Sequence, residues 1–278
     1  MAKERIRLKE YEDLTFSDDF IFGKMMEDPE LCRKVLETLL QRPVGELQNV
    51  VTQKMLKQTK DGKKIHLDVY TEDKFAIYDT EMQNLNKQTL KDLALAKRSR
   101  FYQGQIDVDY LGKGGAYRDL PDNNVIFICT FDPFEFGLPV YRFENREENK
   151  PELKLNDGTH KYFFNCTYTG NDIPKNLESF YRFIQKEEAT DALTKELLGG
   201  VEKARHNEEW KSEYMKELLH DDDMIQEGIA IGREEEREKT LEIAVSLIKD
   251  GILSEEEATL RFGIDIEPLR QKLKESVN

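Results

Sequence analysis

The feature that most constrains this chain is an almost continuous apolar run from Asn124 to Phe131, which Pro133 follows closely. A strand of this composition is typically buried on both faces, so the sheet that contains it needs cover on both sides. The elements predicted around it run helix, antiparallel strands, helix, further strands and then helices. This order predicts a mixed α/β (α+β) fold, in which helices flank a central mixed sheet and an all-helical C-terminal tail follows.

Periodicity and capping residues predict the individual elements. Two strands between residues 65 and 83 are joined by a tight turn at 72–74, and Asp61-Gly62 predicts a hairpin turn before them. Ser254 begins a helix with capping-box spacing. The other predictions are a strand over 49–57, helices over 29–40, 87–103, 176–198 and 224–253, and a solvated turn at 220–223.

The net charge of −14 is unevenly distributed. Residues 202–278 contain 12 Lys and Arg against 21 Asp and Glu, whereas residues 15–110 contain 15 against 16. A strongly acidic surface argues against nucleic-acid binding, which requires a basic footprint. Because the excess of Asp and Glu is concentrated in the C-terminal part, the net charge does not exclude nucleic-acid binding by the N-terminal part.

The sequence also predicts the compartment. It contains no apolar run of about 18 residues, so no membrane span is expected. The N-terminal segment lacks an apolar signal region. Cys32, Cys129 and Cys166 are far apart and fit no metal or redox spacing. We therefore expect buried, reduced thiols in a cytoplasmic protein.

Acidic residues occupy unusual positions in the two strands between residues 65 and 83. Asp68 lies within an apolar strand, and Glu81 follows Ile77 and Tyr78 on the next one. Side chains alternate along a strand, so Glu81 and Gln83 share a face, and the turn brings Asp68 towards Glu81. Two such carboxylates suit a hard divalent cation, with Gln83 orienting a water or a phosphate. The alternative is that both carboxylates face solvent on an open side of the sheet.

The order Asp68, then Glu81-x-Gln83 on the next strand, then a helix resembles the PD-(D/E)xK nuclease superfamily. Within that superfamily, roughly residues 10–190 are similar to the recombination-promoting nuclease/putative transposase family. The resemblance rests on an ordered set of motifs at residues 14–24, 28–31, 65–69, 79–83, 97–103, 125–133 and 138–145.

The resemblance implies a restriction-endonuclease-like sheet and a DNA endonuclease that uses Mg²⁺ or Mn²⁺. It implies that Asp68 and Glu81 bind the metal and that Asp19 completes the acidic cluster, with Asp18 as the competing choice. Gln83 stands where the superfamily more often has lysine. Because an amide is neutral, the metal or nearby basic residues would carry more of the transition-state stabilisation.

Basic residues lie on the predicted helix that follows Gln83. Lys97, Arg98 and Arg100 are predicted DNA contacts, and Tyr102, one helical turn after Arg98, could stack or hydrogen-bond near the site. The alternatives are that the basic residues serve solubility and that Tyr102 belongs to the core.

These observations predict a PD-(D/E)xK nuclease-like domain over residues 1–198 and an acidic helical region over residues 199–278. The expected activity is hydrolysis of DNA phosphodiester bonds, in recombination of mobile DNA or in defence. The alternative is a catalytically weak nuclease-fold protein that acts as a binding or regulatory module through its helical tail. We expect the tail to form a homo-oligomer or bind a partner.

Overall fold

The first part of the chain folds around a six-stranded mixed sheet, as the sequence predicted. The computed structural model describes residues 9–56, 65–84, 94–112 and 115–275, with only the backbone at 221–223. The strands are β1 (Gln48–Leu56), β2 (Ile65–Glu72), β3 (Ala76–Gln83), β4 (Asp122–Cys129), β5 (Val140–Phe143) and β6 (Thr159–Asn165).

The strand order is β1-β2-β3-β4-β6-β5. Strands β1, β2 and β3 are antiparallel, β3, β4 and β6 are parallel, and β5 runs antiparallel to β6. Strand β4 is interior and is buried from Asn123 to Cys129, which confirms the prediction from its apolar run.

Five helices of the described chain pack with this sheet or with one another. They are α1 (Asp19–Met26), α2 (Pro29–Leu40), α3 (Leu95–Leu111), α4 (Lys175–Lys186) and α5 (Ala192–Arg205). Helix α3 connects β3 to β4 and buries Leu95, Tyr102 and Ile106 against the sheet. The ring of Phe16 contacts those of Phe22, Phe180 and Phe183, which joins α1 to α4. Each fully buried side chain of this size contributes about 1.5–3 kcal/mol to folding.

The bounds of α3 differ from the predicted helix over 87–103. Ala94 has a left-handed backbone with φ 48°, so the helix begins at Leu95. It continues through Gly104 to Leu111, since Ile106 is buried in the core. The predicted helix start at 87–93 and the predicted hairpin turn at Asp61-Gly62 lie outside the described residues.

The chain divides into two compact units, residues 1–210 and 211–278. Residues 199–210, which the sequence assigned to the tail region, fall in the first unit. Helix α5 packs there against α1. The hydroxyl of Tyr11 donates to the carbonyl oxygen of Ala204 at 2.6 Å, and Arg205 Nε donates to that of Leu14 at 2.8 Å.

The second unit is helical, as predicted. It contains most of α6 (Glu208–Lys249), together with α7 (Glu255–Phe262) and α8 (Ile266–Glu275). Its core consists of Leu241, Ala244, Val245, Ala258 and Leu269. None of the helices in the described ranges is long and apolar enough to cross a membrane.

Two local predictions in the tail had opposite outcomes. The capping box at Ser254 is confirmed, since its hydroxyl accepts from Glu257 N at 3.1 Å and Glu257 Oε2 accepts from Ser254 N at 2.8 Å. The predicted turn at 220–223 is wrong, because α6 runs through it. Aspartate costs a helix less than about 1 kcal/mol relative to alanine, and no glycine or proline occurs there to break it.

Candidate active site

Asp73 determines the turn between β2 and β3. Its Oδ1 accepts hydrogen bonds from Phe75 N at 2.8 Å and from Ala76 N at 2.9 Å. Burial acts to raise the pKa of Asp73, but these bonds, with those from Gly45 N and the Tyr78 hydroxyl, hold it below its usual value. The turn predicted at 72–74 is therefore confirmed, with an ionised carboxylate at its centre.

Strands β2 and β3 separate at Asp68 and Glu81. In the described parts of both strands their pairing runs from Glu72 and Ile77 to Val69 and Thr80, and ends there. Beyond that point β2 continues to pair with β1, and β3 with β4. Side chains replace the missing backbone bonds: Asp68 N donates to Glu81 Oε1 at 3.0 Å, and Met82 N donates to Asp68 Oδ2 at 3.1 Å. The predicted proximity of Asp68 and Glu81 is thus confirmed.

Asp68 is the accessible carboxylate of this pair. It is half-buried, and within the described residues its Oδ1 has no hydrogen-bond partner. Burial, followed by the charges of Glu81 and Asp19, raises the pKa of Asp68 to about 8. An oxygen that is open to solvent and surrounded by other carboxylates is suited to a cation.

Two further carboxyl groups lie beside it on β3. Glu81 is only 1% exposed, and its Oε2 lies 3.3 Å from Arg98 Nη2. Asp79, two residues earlier on the same face, is fully buried, and neither of its carboxyl oxygens has a partner among the described residues. Burial raises the pKa of both groups well above the usual range, and the charge of Asp68 adds to this at Asp79.

The structure distinguishes between Asp18 and Asp19. Asp18 Oδ2 accepts from Thr15 N at 2.7 Å and from the Thr15 hydroxyl at 2.9 Å, and it pairs with Lys9 Nζ at 2.7 Å. The carboxylate of Asp18 is therefore engaged in contacts within the segment that precedes α1. Asp19 is exposed at the surface, and its partial burial and then the charge of Asp18 raise its pKa. The charge of Asp19 raises the pKa of Asp68, so Asp19 is the residue of the two that acts on the pair.

Gln83 and Arg98 lie in direct contact. Arg98 Nη1 donates to Gln83 Oε1 at 2.8 Å, and Arg98 Nη2 reaches both Glu81 and, at 3.0 Å, the Tyr102 hydroxyl. Because one guanidinium contacts both Glu81 and Gln83, the prediction that they share a face is confirmed. Gln83 Nε2 donates to the carbonyl oxygen of Met82 at 2.8 Å.

The other predicted DNA contacts, Lys97, Arg100 and Tyr102, differ from Arg98 in their exposure and in their contacts. Lys97 and Arg100 are exposed, and in the described chain neither contacts the carboxylates. Tyr102 is only 9% exposed and its ring lies 6.4 Å from that of Phe127, so it belongs to the core. It meets the site through its hydroxyl and through its ring, whose centroid lies 5.4 Å from Arg98 Cζ.

The donor chemistry of these residues fits a hard divalent cation, although a complete ligand set is not formed. Among the described residues no group of three or more His, Cys, Asp or Glu side chains is arranged to hold a metal ion. Asp68 nevertheless offers an oxygen that has no partner among the described residues, and Arg98, which contacts Glu81, acts electrostatically on Asp19, Asp68 and Asp79 as well. This excess of oxygen donors and negative charge is what Mg²⁺ and Mn²⁺ prefer.

The sequence analysis did not single out Asp79. The signal was present, since Asp79, Glu81 and Gln83 are spaced two apart and must share a face of a strand. What the spacing did not show is that the Asp79 side chain is fully buried.

Comparisons with known proteins add no assignment. The chain matches no protein-family model, and no curated protein or solved structure matches it significantly.

Proposed function

We propose that this protein is a divalent-metal-dependent endonuclease that hydrolyses DNA phosphodiester bonds. One observation carries the proposal: where β2 and β3 separate, the Glu81 carboxylate accepts from Asp68 N and the Asp68 carboxylate accepts from Met82 N, with Asp19 close enough to raise the pKa of Asp68. The ordered motifs that resemble the recombination-promoting nucleases support the same activity. They favour a setting in the recombination of mobile DNA or in defence against foreign DNA.

The residues of the site would divide the work as follows. A bound Mg²⁺ or Mn²⁺ supplies an acidified water and polarises a phosphoryl oxygen. Asp68 would hold it through Oδ1, and Glu81 through Oε2, which now faces Arg98. Asp19 is accessible to solvent and has a raised pKa, so it is suited to accept a proton from the attacking water.

The decisive experiment is nicking of supercoiled plasmid by the purified protein in Mg²⁺, in Mn²⁺ and in EDTA. We expect nicking only with metal. Glu81→Gln keeps an acceptor for Asp68 N but removes the negative charge, so we expect nicking to fall by at least about a hundredfold. Nicking that persists in EDTA, or a Glu81→Gln variant as active as the wild type, would contradict the proposal.

A second candidate function, binding through the tail, is favoured by an exposed apolar segment of α6. Every side chain described between 224 and 239 is exposed. The large apolar ones nearby include Leu219 at 64%, Met224 at 55%, Ile225 at 47% and Ile229 at 43% exposure. Apolar side chains clustered on a helix are typical of an interaction surface. We propose that this segment mediates self-association.

Self-association can be tested by changing two of these residues. We expect the wild type to have a solution mass above its chain mass of 32.6 kDa, and Ile225→Asp/Ile229→Asp to return it to the monomer, because charges are costly in an apolar interface. Light scattering during size exclusion measures both masses. Leu260→Asp, an exposed leucine on α7, is the control that should leave the mass unchanged. A wild type that is monomeric at tens of micromolar would exclude this role.

A further inference from the structure

The side-chain amide of Gln83 has one orientation that satisfies both of its contacts. Nε2 lies 2.8 Å from the carbonyl oxygen of Met82, which can only accept, and Oε1 lies 2.8 Å from Arg98 Nη1, which can only donate. The amide nitrogen is therefore engaged with the backbone, and the amide oxygen faces the guanidinium. In this arrangement Gln83 accepts from Arg98 through its amide oxygen, while the Met82 carbonyl engages one of the two N–H donors of its amide nitrogen.

Arg98 retains donors for another ligand. A guanidinium has five N–H groups, and the contacts with Gln83, Glu81 and Tyr102 use three of them in the described chain. The contact with Glu81, at 3.3 Å, is the longest of the three. The side chain is 33% exposed, so part of it can be reached from solvent.

Arg98 also differs from Lys97 and Arg100 in its electrostatic position. Burial raises the pKa values of Asp19, Asp68, Asp79 and Glu81, and the positive charge of Arg98 acts against this rise at all four. It is thus a cation placed among all four carboxyl groups, where a substrate phosphate would otherwise be repelled. A planar guanidinium also binds phosphate oxygens in pairs, which a lysine ammonium does not.

We propose that Arg98 contacts the phosphate of bound DNA and that Gln83 is the positioning residue that holds its guanidinium in place. The inference rests on the proposed function and names the residue that binds substrate. A lysine at position 83 would place an ammonium beside the guanidinium, and the two like charges would repel each other. Glutamine at position 83 and arginine at position 98 therefore act as a pair that keeps one cation at one place.

The test uses Arg98→Gln, Gln83→Lys, the double variant Arg98→Gln/Gln83→Lys, and Arg33→Gln as the matched control. Arg33 is 30% exposed and, like Arg98, pairs with glutamate side chains, but it lies on α2 away from the carboxylates. Binding of a fluorescent DNA duplex is measured in EDTA over a range of salt concentrations, and plasmid nicking is measured with metal. Thermal unfolding of each variant monitors the fold.

We expect Arg98→Gln to weaken duplex binding by about tenfold or more and to reduce the slope of log affinity against log salt by about 1, because one phosphate contact is lost. A purely structural role would not change that slope. Gln83→Lys should also weaken nicking although it adds a positive charge. The double variant should recover most of the loss, because the ammonium that Gln83→Lys introduces no longer faces a guanidinium and can take its place.

Several results would overturn the inference without affecting the proposed activity. In each case the wild type still nicks plasmid only with metal. The inference fails if Arg98→Gln behaves as Arg33→Gln does, or if Gln83→Lys is as active as the wild type. It also fails if the double variant is less active than both single variants. A wild type that neither binds nor nicks DNA would overturn both the inference and the proposed function.

Discussion

Asp68→Asn should lower metal-dependent plasmid nicking by about a thousandfold and at the same time make the metal-free protein more stable. The loss of rate follows from removing a metal ligand whose charge is worth several kcal/mol to the transition state. The gain in stability follows from the raised pKa of Asp68, about 8 in the folded chain against 3.8 unfolded. The ionised form is therefore less favourable in the folded state, and a neutral amide avoids that cost.

Asparagine also keeps an oxygen that can accept from Met82 N, so the local structure should survive. Initial nicking rates and thermal unfolding in EDTA at pH 7–8 measure the two effects. Asp191→Asn is the control, because Asp191 caps α5 at Thr194 N and asparagine caps a helix equally well. An Asp68→Asn variant that is inactive and also less stable would mean that Asp68 holds the fold together, which contradicts the assignment.

Asp79→Asn should stabilise the protein at pH 7 by up to about 4 kcal/mol, the limit that one proton sets between the unfolded pKa and pH 7. Asp79 is fully buried, neither of its carboxyl oxygens has a hydrogen-bond partner among the described residues, and burial raises its pKa well above 3.8. Above about pH 4 the unfolded chain holds Asp79 ionised, whereas burial favours the protonated form in the folded chain. Each pH unit between the unfolded and the folded pKa costs the folded state about 1.4 kcal/mol. The amide carries no charge at any pH, so the variant avoids this cost.

The sign of this effect can be checked against pH and against a second aspartate. The stability difference between Asp79→Asn and the wild type should vanish below about pH 4 and grow as the pH rises above it. Asp73→Asn should lower the stability by a constant amount above about pH 5, and this loss should fade only as the pH drops below about 4, because hydrogen bonds hold the pKa of Asp73 low and its ionised form stabilises the turn. Urea unfolding of both variants from about pH 3 to about pH 8 measures the two trends. An Asp79→Asn variant that loses stability as the pH rises would show that the folded protein keeps Asp79 ionised.

Local patterns in the sequence account for much of this fold. The apolar run of β4, the turn at Asp73 and the capping box at Ser254 each depend on neighbours within a few residues, and all three occur as predicted. The alternation of side chains along β3 likewise placed Glu81 and Gln83 on one face. It did not show that β2 pairs with β3 only from Val69 to Glu72, because a strand's pairing partner is not encoded in its period.

Other features depended on contacts between residues far apart in sequence. Asp18 and Asp19 are equivalent as helix-start residues, and only the contacts of Thr15 and Lys9 with Asp18 leave Asp19 to the site. The acceptor role of Gln83 follows from Arg98, fifteen positions later in the chain and on α3. The C-terminal bound of that helix was itself wrong in the prediction, because core packing extends it to Leu111.

The sequence by itself determined which side chains carry charge, how they alternate along β3, and where turns and caps form, since these properties depend on adjacent residues. The tertiary structure decided which carboxyl groups lose water, which oxygen of Asp68 stays open and which cation faces Glu81. These outcomes depend on how closely α1, α3 and the strands β2 and β3 pack. Burial and charge proximity act through space, so no spacing in the chain specifies them.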